Sequence, residues 1–239
     1  MRNEVENIRK FLIEYAKKAG ADGYIFGISG GVDSSVLYKI IEPIKELKFI
    51  AVMMPIHSLE SDELHARKLV KGNEKYILKV DLTNVYDEMV KILPKSDNKL
   101  SYANIKPRLR MTTLYQIAQA NNLLVAGATN KTEYMIGYFT KHGDSGVDIM
   151  PLADFNKHEI FEMARMLNVP SEIIDKPPSA GLYEGQSDED EIGISYKDLD
   201  ASIDGVLKDE KINKIIQNKI KATEHKRALI PIYKRERMI

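Results

Sequence analysis

Nine residues, Gly27-Ile28-Ser29-Gly30-Gly31-Val32-Asp33-Ser34-Ser35, restrict this chain more than any other stretch. An apolar run, Tyr24-Ile25-Phe26, precedes them, and a helix-like pattern, Val36-Leu37-Tyr38-Lys39-Ile40-Ile41, follows. Strand, glycine-rich turn and helix leave backbone N–H groups free at a helix N-terminus, where they hold phosphate oxygens. The glycines let the backbone approach an anion with no Cβ between. Ser29, Ser34 and Ser35 add hydroxyl donors. No lysine follows the glycines, so this is not a Walker A loop. Nor is it the dinucleotide fingerprint G-x-G-x-x-G. Asp33 stands in the lysine's place. A carboxylate beside phosphates repels them unless a cation lies between, so Asp33 implies Mg2+. The bland alternative is an ordinary Gly-Ser turn with Asp33 as a helix cap. It explains neither the adjacent glycines nor the three hydroxyls.

The rest of the chain continues the alternation. Val5, Ile8, Leu12, Ile13 and Ala16 have helical spacing, with Gly20 as a stop. Residues 49–54 read as a second buried strand, ended by Pro55. Ser58 is a candidate cap for a helix over 59–70. A third strand is expected at 76–80, and Asp81 or Thr83 can cap a short helix before Pro94. Residues 95–101 read as a polar connection. A long helix is expected from 104 through 120, with Pro107 tolerable in its first turn. Residues 123–127 make a fourth strand, after which Thr129 or Asn130 begins a helix. Residues 137–148 are loop-like, and Asn156 precedes an amphipathic helix over 160–167. Two more helical patterns lie near 196–207 and 211–223. This predicts an α/β fold, a doubly wound parallel sheet with helices on both faces, whose ligands sit at the carboxyl ends of the strands. The Pro/Gly-rich stretch from Pro177 through Ser187 reads as a long functional loop or lid.

Composition narrows the partners. A length of 239 residues with 44% hydrophobic side chains suits one large domain. Lys and Arg together number 35, as do Asp and Glu, so nothing argues for nucleic acid or an anionic membrane. No run has the length of a membrane span, and the acid-bearing start, Met1 to Glu6, is unlike a signal peptide; a cytoplasmic location is expected. Cysteine is absent, which excludes disulfides, thiolate metal sites and a cysteine-based glutaminase. Nitrogen for any amide must then arrive as ammonia or from another chain. His57, His65, His142 and His158 show no metal-ligand spacing.

The glycine-rich loop resembles the pyrophosphate-binding loop of the N-type ATP pyrophosphatases. Those enzymes cleave ATP to AMP and pyrophosphate while activating a carbonyl oxygen. The loop does not choose among their members, which include NAD, GMP, asparagine and argininosuccinate synthetases and tRNA-modifying enzymes. Four later segments do. Residues 104–111, NIKPRLRM, resemble the NIKARxRM of NAD synthetases. Residues 127–133 and 137–144, GATNKTE and GYFTKHGD, resemble their GTxNKSE and GYFTKYGD. Residues 176–186, KPPSAGLYEGQ, resemble KPPSAGLWxGQ, and 224–227, EHKR, resembles the family's terminal HK tail. The chain is thereby identified as similar to the ammonia-dependent NAD synthetases.

That resemblance implies a homodimer converting deamido-NAD, ATP and ammonia to NAD, AMP and pyrophosphate, with residues 1–239 as one synthetase domain and no glutaminase domain. It places ATP on Gly27, Ile28, Ser29, Gly30, Gly31, Val32, Asp33, Ser34, Lys157 and Ser179. It makes Asp33 and Glu133 the Mg2+ ligands and, with Lys157, the catalytic set. Deamido-NAD falls to Arg108, Lys141, Asp148, His225 and Lys226. Taken singly, Glu133 would be a first-turn helix acid, Lys157 a solvated lysine, and Arg108 and Arg110 a helix face. The chain departs from the family at Ala128, where a threonine is usual, with Thr129 adjacent; at Ser145, where glycine is usual; and at His142, where tyrosine is usual. Two rivals stay open. One is another N-type pyrophosphatase acting on a nucleobase or tRNA. The other is a non-catalytic adenine-nucleotide-binding module.

Overall fold

The computed structural model describes residues 1–179 and 187–235. The elements run α1 (Arg2–Ala19), β1 (Gly23–Gly27), α2 (Val32–Ile41), β2 (Lys48–Met53), α3 (Glu60–Leu69), β3 (Ile77–Lys79), α4 (Thr83–Ile92), α5 (Lys99–Ala103), α6 (Ile105–Asn121) and β4 (Leu123–Val125). Then come α7 (Lys131–Ile136), α8 (Lys157–Met166), α9 (Ser171–Ile174), α10 (Asp188–Ile192), α11 (Tyr196–Ile203) and α12 (Glu210–Ala222).

All strand pairs are parallel and the order is β3-β2-β1-β4. Successive side chains of a strand point to opposite faces. Tyr24 and Phe26 of β1 and Phe49, Ala51 and Met53 of β2 pack with Leu12, Leu37 and Ile160, from α1, α2 and α8. Ile25 and Val52, between them, pack on the other side with Met111, Leu114 and Ala118 of α6. Strands covered on both faces read as continuous apolar runs, which is why β1 and β2 stood out. A third cluster, Ile136, Ile192, Tyr196, Leu199 and Ile216, ties α7, α10, α11 and α12 together beyond the sheet. The doubly wound reading holds. Chain connections leave β1 toward β2 on one side and reach β4 on the other, opening a crevice at the strand ends.

Differences from the sequence expectations are local. The second helix starts at Val32, so Asp33, Ser34 and Ser35 lie in its first turn. Ser58 does not cap α3; its hydroxyl accepts from the Ile56 N–H (3.2 Å), and α3 begins after Leu59. The supposed polar connection ends in α5, capped by the Asn98 side chain. Five residues are too few for a period to show. Asn130 is the cap of α7, and its side chain accepts from the Glu133 N–H. Of the expected lid, Pro177 through Ser179 and Ser187 are described, and 180–186 lie outside the described residues. Among the described residues no helix is long and apolar enough to cross a membrane.

Tyr24 is fully buried, and its hydroxyl donates to the Leu12 carbonyl (2.8 Å), joining sheet to α1. Tyr24→Phe removes that bond without opening a cavity. It should lower unfolding stability by about 1 kcal/mol, read as a lower urea midpoint at unchanged slope.

Candidate active site

The crevice is a cleft of about 1000 Å³ lined by the glycine-rich loop, the ends of β1, β2 and β4, and residues from α3, α6, α7 and α8. Its loop is braced from within. Ser34 Oγ accepts from the Ser29 N–H (3.2 Å) and donates to the Gly31 carbonyl (3.1 Å), which Ser35 Oγ also reaches (2.8 Å). The Gly31 N–H meets Ser29 Oγ (3.3 Å). The hydroxyls expected to face a ligand therefore shape the turn as well. The N–H groups of Val32, Asp33 and Ser34 meet no acceptor among the described residues, and no side chain caps α2. They are the open donors of a bare helix N-terminus, a geometry suited to an anion. Gly30 has φ 77°, and a Cβ there would lie 2.4 Å from the Asp62 carbonyl oxygen of α3. Any side chain at this position would be both strained and obstructed.

Asp33, Glu133 and Lys157 converge. Lys157 Nζ donates to Asp33 Oδ2 (2.7 Å) and Glu133 Oε1 (2.8 Å), and the lysine side chain is 2% exposed. Asn130 Nδ2 donates to Asp33 Oδ1 (2.8 Å), so one side chain caps α7 and fixes the acid on α2. Burial pushes the Glu133 carboxyl up, to about 7, against the pull of Lys157. Desolvation alone would lower the Lys157 ammonium, but the two carboxylates outweigh it and hold it above its ordinary value. With both acids ionised, two negative charges face one positive. The remaining negative charge lies on hard carboxylate oxygens, both within 3 Å of the Lys157 ammonium, and such oxygens are the donor type a small divalent cation takes. Among the described residues no group of three or more acids, histidines or cysteines could hold a metal ion.

Helix α11 splints this triad. Tyr196, Asp200 and Asp204 lie one turn apart on a single stripe. The Tyr196 hydroxyl donates to Asp188 Oδ2 (2.9 Å) and lies 3.2 Å from Glu133 Oε1; its ring centroid is 4.9 Å from Lys157 Nζ. Asp200 takes the Thr132 hydroxyl on one oxygen and the His158 N–H (3.0 Å) on the other. Thr132 Oγ1 accepts the Lys157 N–H (3.0 Å). Asp204 takes both its bonds from Asn156 Nδ2 (2.8 Å each). The neighbours of Glu133 and Lys157 are thus held by one helix. Sequence reasoning missed Tyr196, Asp200 and Asp204; their four-residue spacing was the available signal.

The residues expected to hold deamido-NAD divide. Lys226 lines the cleft, and its ammonium donates to the Gly137 and Phe139 carbonyls (2.7 and 2.8 Å). Arg108, Lys141 and His225 form a chain outside it: Arg108 donates to the Lys141 carbonyl (3.2 Å) and Lys141 Nζ to the His225 carbonyl (2.7 Å). Asp148 is not among them. It accepts from the Tyr115 hydroxyl (3.0 Å) and the Val125 N–H (2.7 Å). Tyr115 is seven residues from Arg108 on α6, so both lie on one outer stripe of that helix. Ala128, Thr129 and Ser179 all line the cleft. Ser145 Oγ donates to the Thr140 carbonyl (3.1 Å), and His142 has φ 60° in the same loop.

Residues 4–237 match the family model described as NAD synthase. A protein of Finegoldia magna, described as NH(3)-dependent NAD(+) synthetase, is 45% identical over 93% of this chain and 92% of its own length. Among solved structures, the NMN synthetase from Francisella tularensis has a TM-score of 0.92 at 31% identity, covering 97% of this chain and 98% of that one. The NAD+ synthetase from Burkholderia pseudomallei has a TM-score of 0.78 at 30% identity, covering 96% and 90%.

Asp200→Ala leaves the buried Thr132 hydroxyl and the His158 N–H without their acceptor. It should cost about 2–3 kcal/mol of unfolding stability, measured by urea titration. Asp200→Asn, which keeps the shape, should cost less.

Proposed function

The chain belongs to the NAD synthase family, and on that premise we propose that it amidates deamido-NAD with ammonia, splitting ATP to AMP and pyrophosphate. The observation that carries the reading is the convergence of a bare α2 N-terminus with Asp33, Glu133 and Lys157 in one cleft. A carboxylate is a poor electrophile because its charge is shared by two oxygens. Joining it to the α-phosphorus of ATP creates an acyl adenylate, from which ammonia displaces AMP.

The α2 N–H groups and the loop from Gly27 to Ser34 hold the β- and γ-phosphates, with Ser179 lining the same cleft. Lys157, which keeps the two acids together in the free chain, donates to phosphate oxygens. Asp33 and Glu133 would hold Mg2+, whose charge offsets that of the departing pyrophosphate. The cleft walls exclude water, which would otherwise hydrolyse the adenylate. Deamido-NAD puts its nicotinate carboxylate in the cleft past Lys226. Its other half lies along the outer stripe of α6, by Arg108, Lys141, Asp148 and His225. The 239 residues work as one synthetase domain fed by free ammonia; the lack of cysteine supports this, since no thiol can release ammonia from glutamine. A homodimer is supported by α4, which buries none of its residues and exposes Val85, Met89 and Ile92.

A second reading rests on the Francisella tularensis structure, described as NMN synthetase: the acid amidated is then the mononucleotide. One experiment decides. Purified protein is given ATP, Mg2+ and an ammonium salt with either acid. NAD from deamido-NAD, with pyrophosphate released, is the expected result. NMN from the mononucleotide acid at higher kcat/KM would move the substrate. ATP binding without pyrophosphate from either acid would leave the two rivals, a pyrophosphatase acting on a nucleobase or tRNA and a non-catalytic binding module. EDTA should abolish turnover. Asp33→Asn should lower it by at least about 100-fold with the fold intact, and near-normal turnover would refute the metal role.

A further inference from the structure

Among the described residues, one arginine of the cleft, Arg110, has no acid partner. Arg110 follows Arg108 by two residues on α6, a turn of about 200° around the helix. Arg108 faces out to the Lys141 carbonyl, whereas Arg110 lines the cleft. Its Nε donates to the Met54 carbonyl (3.0 Å), one residue past β2. Among the described residues Nη1 and Nη2 donate to nothing, and the guanidinium forms no ion pair. The acids that influence it, Asp144 and Asp62, are engaged elsewhere: Asp144 accepts the Thr140 N–H (2.7 Å) and Asp62 pairs with Lys176. Desolvation holds the guanidinium below its ordinary range. A cation so placed is costly unless a ligand supplies the missing negative charge. A planar fork of N–H donors fits phosphoryl oxygens.

Position selects which phosphoryl group. The α2 N-terminus and the acid–lysine triad approach the cleft from one face of the sheet, and α6 from the other. Met54, which anchors Arg110, has its terminal methyl 3.3 Å from where a Cβ on Gly27 would be. The outer stripe of α6, proposed to carry the dinucleotide acid, begins two residues away. Arg110 therefore stands between the polyphosphate tail and the incoming carboxylate, where the α-phosphorus must lie.

We propose that Arg110 is a further catalytic residue, donating through Nη1 and Nη2 to the non-bridging oxygens of the α-phosphoryl group of ATP. This rests on the amidation reading above. A carboxylate oxygen of the acid bonds to the α-phosphorus; the bond to the α,β-bridging oxygen breaks, and pyrophosphate leaves with its electron pair. Arg110 neutralises the charge on the group in transfer. Ammonia then adds to the acyl carbon, AMP leaves with the electrons of the C–O bond, and the surplus proton goes to solvent.

The test isolates the first step: acid-dependent exchange of labelled pyrophosphate into ATP, without ammonia. In Arg110→Gln, exchange and kcat should fall together by about 100- to 1000-fold, while the KM for deamido-NAD and the half-saturating Mg2+ stay within about threefold. Arg110→Lys should recover part of the loss, and added guanidinium ion should speed Arg110→Ala. Exchange by Arg110→Gln within threefold of wild type overturns the proposal. So does a loss that tracks a lower melting temperature and that neither lysine nor guanidinium repairs, which would make Arg110 a brace for Met54. Wild-type protein that amidates neither acid defeats the functional reading instead.

Discussion

Lys157 grips two carboxylates at once, and the arrangement of the cleft follows from that contact. Asp33 comes from α2, Glu133 from α7 and Lys157 from α8, so one ammonium measures the distance between three helices. A lysine this buried is tolerable only with its charge matched. Two acids on one lysine overmatch it, leaving a site that stays attractive to a further cation. The same contact explains why Asn130, Thr132 and Asp200 are polar inside the protein: each holds a neighbour of the triad in register.

Helix α6 does two jobs by having two polar faces. Arg108 and Tyr115 lie outward with Lys141 and Asp148, and Arg110 points into the cleft beside Met54. The apolar positions between them, Met111, Leu114 and Ala118, fix the helix on β1 and β4. A helix seated this firmly can present a charge to each side of the sheet edge without moving.

Much of this was legible in the chain. The strands could be read because burial on both faces makes them apolar throughout, and the loop because no ordinary turn combines its glycines, serines and acid. Motif order brought Asp33, Glu133 and Lys157 into one list, but not the finding that the lysine sits between the acids. That depends on packing between α7 and α8, which no local pattern encodes. The short helices α5, α9 and α10 left no period to detect. Tyr196, Asp200 and Asp204 were hidden because Glu133, His158 and Asn156, which they meet, are 40 or more residues away, and a four-residue spacing of polar groups usually means a solvated face. Arg110 looked like half of such a face until its fellow, Arg108, was seen on the far side.

The splint on α11 also sets an order of events in biosynthesis. All four strands are present once Val125 has been made, so the sheet can assemble early. Asp200 and Asp204 emerge some 75 residues later. Translation at about 5–20 residues per second separates the two moments by seconds. Once α8 has covered its face of the sheet, later in that interval, a nascent chain carries an acid–lysine cluster that is not yet pinned, and the chemistry waits for the carboxy-terminal segment.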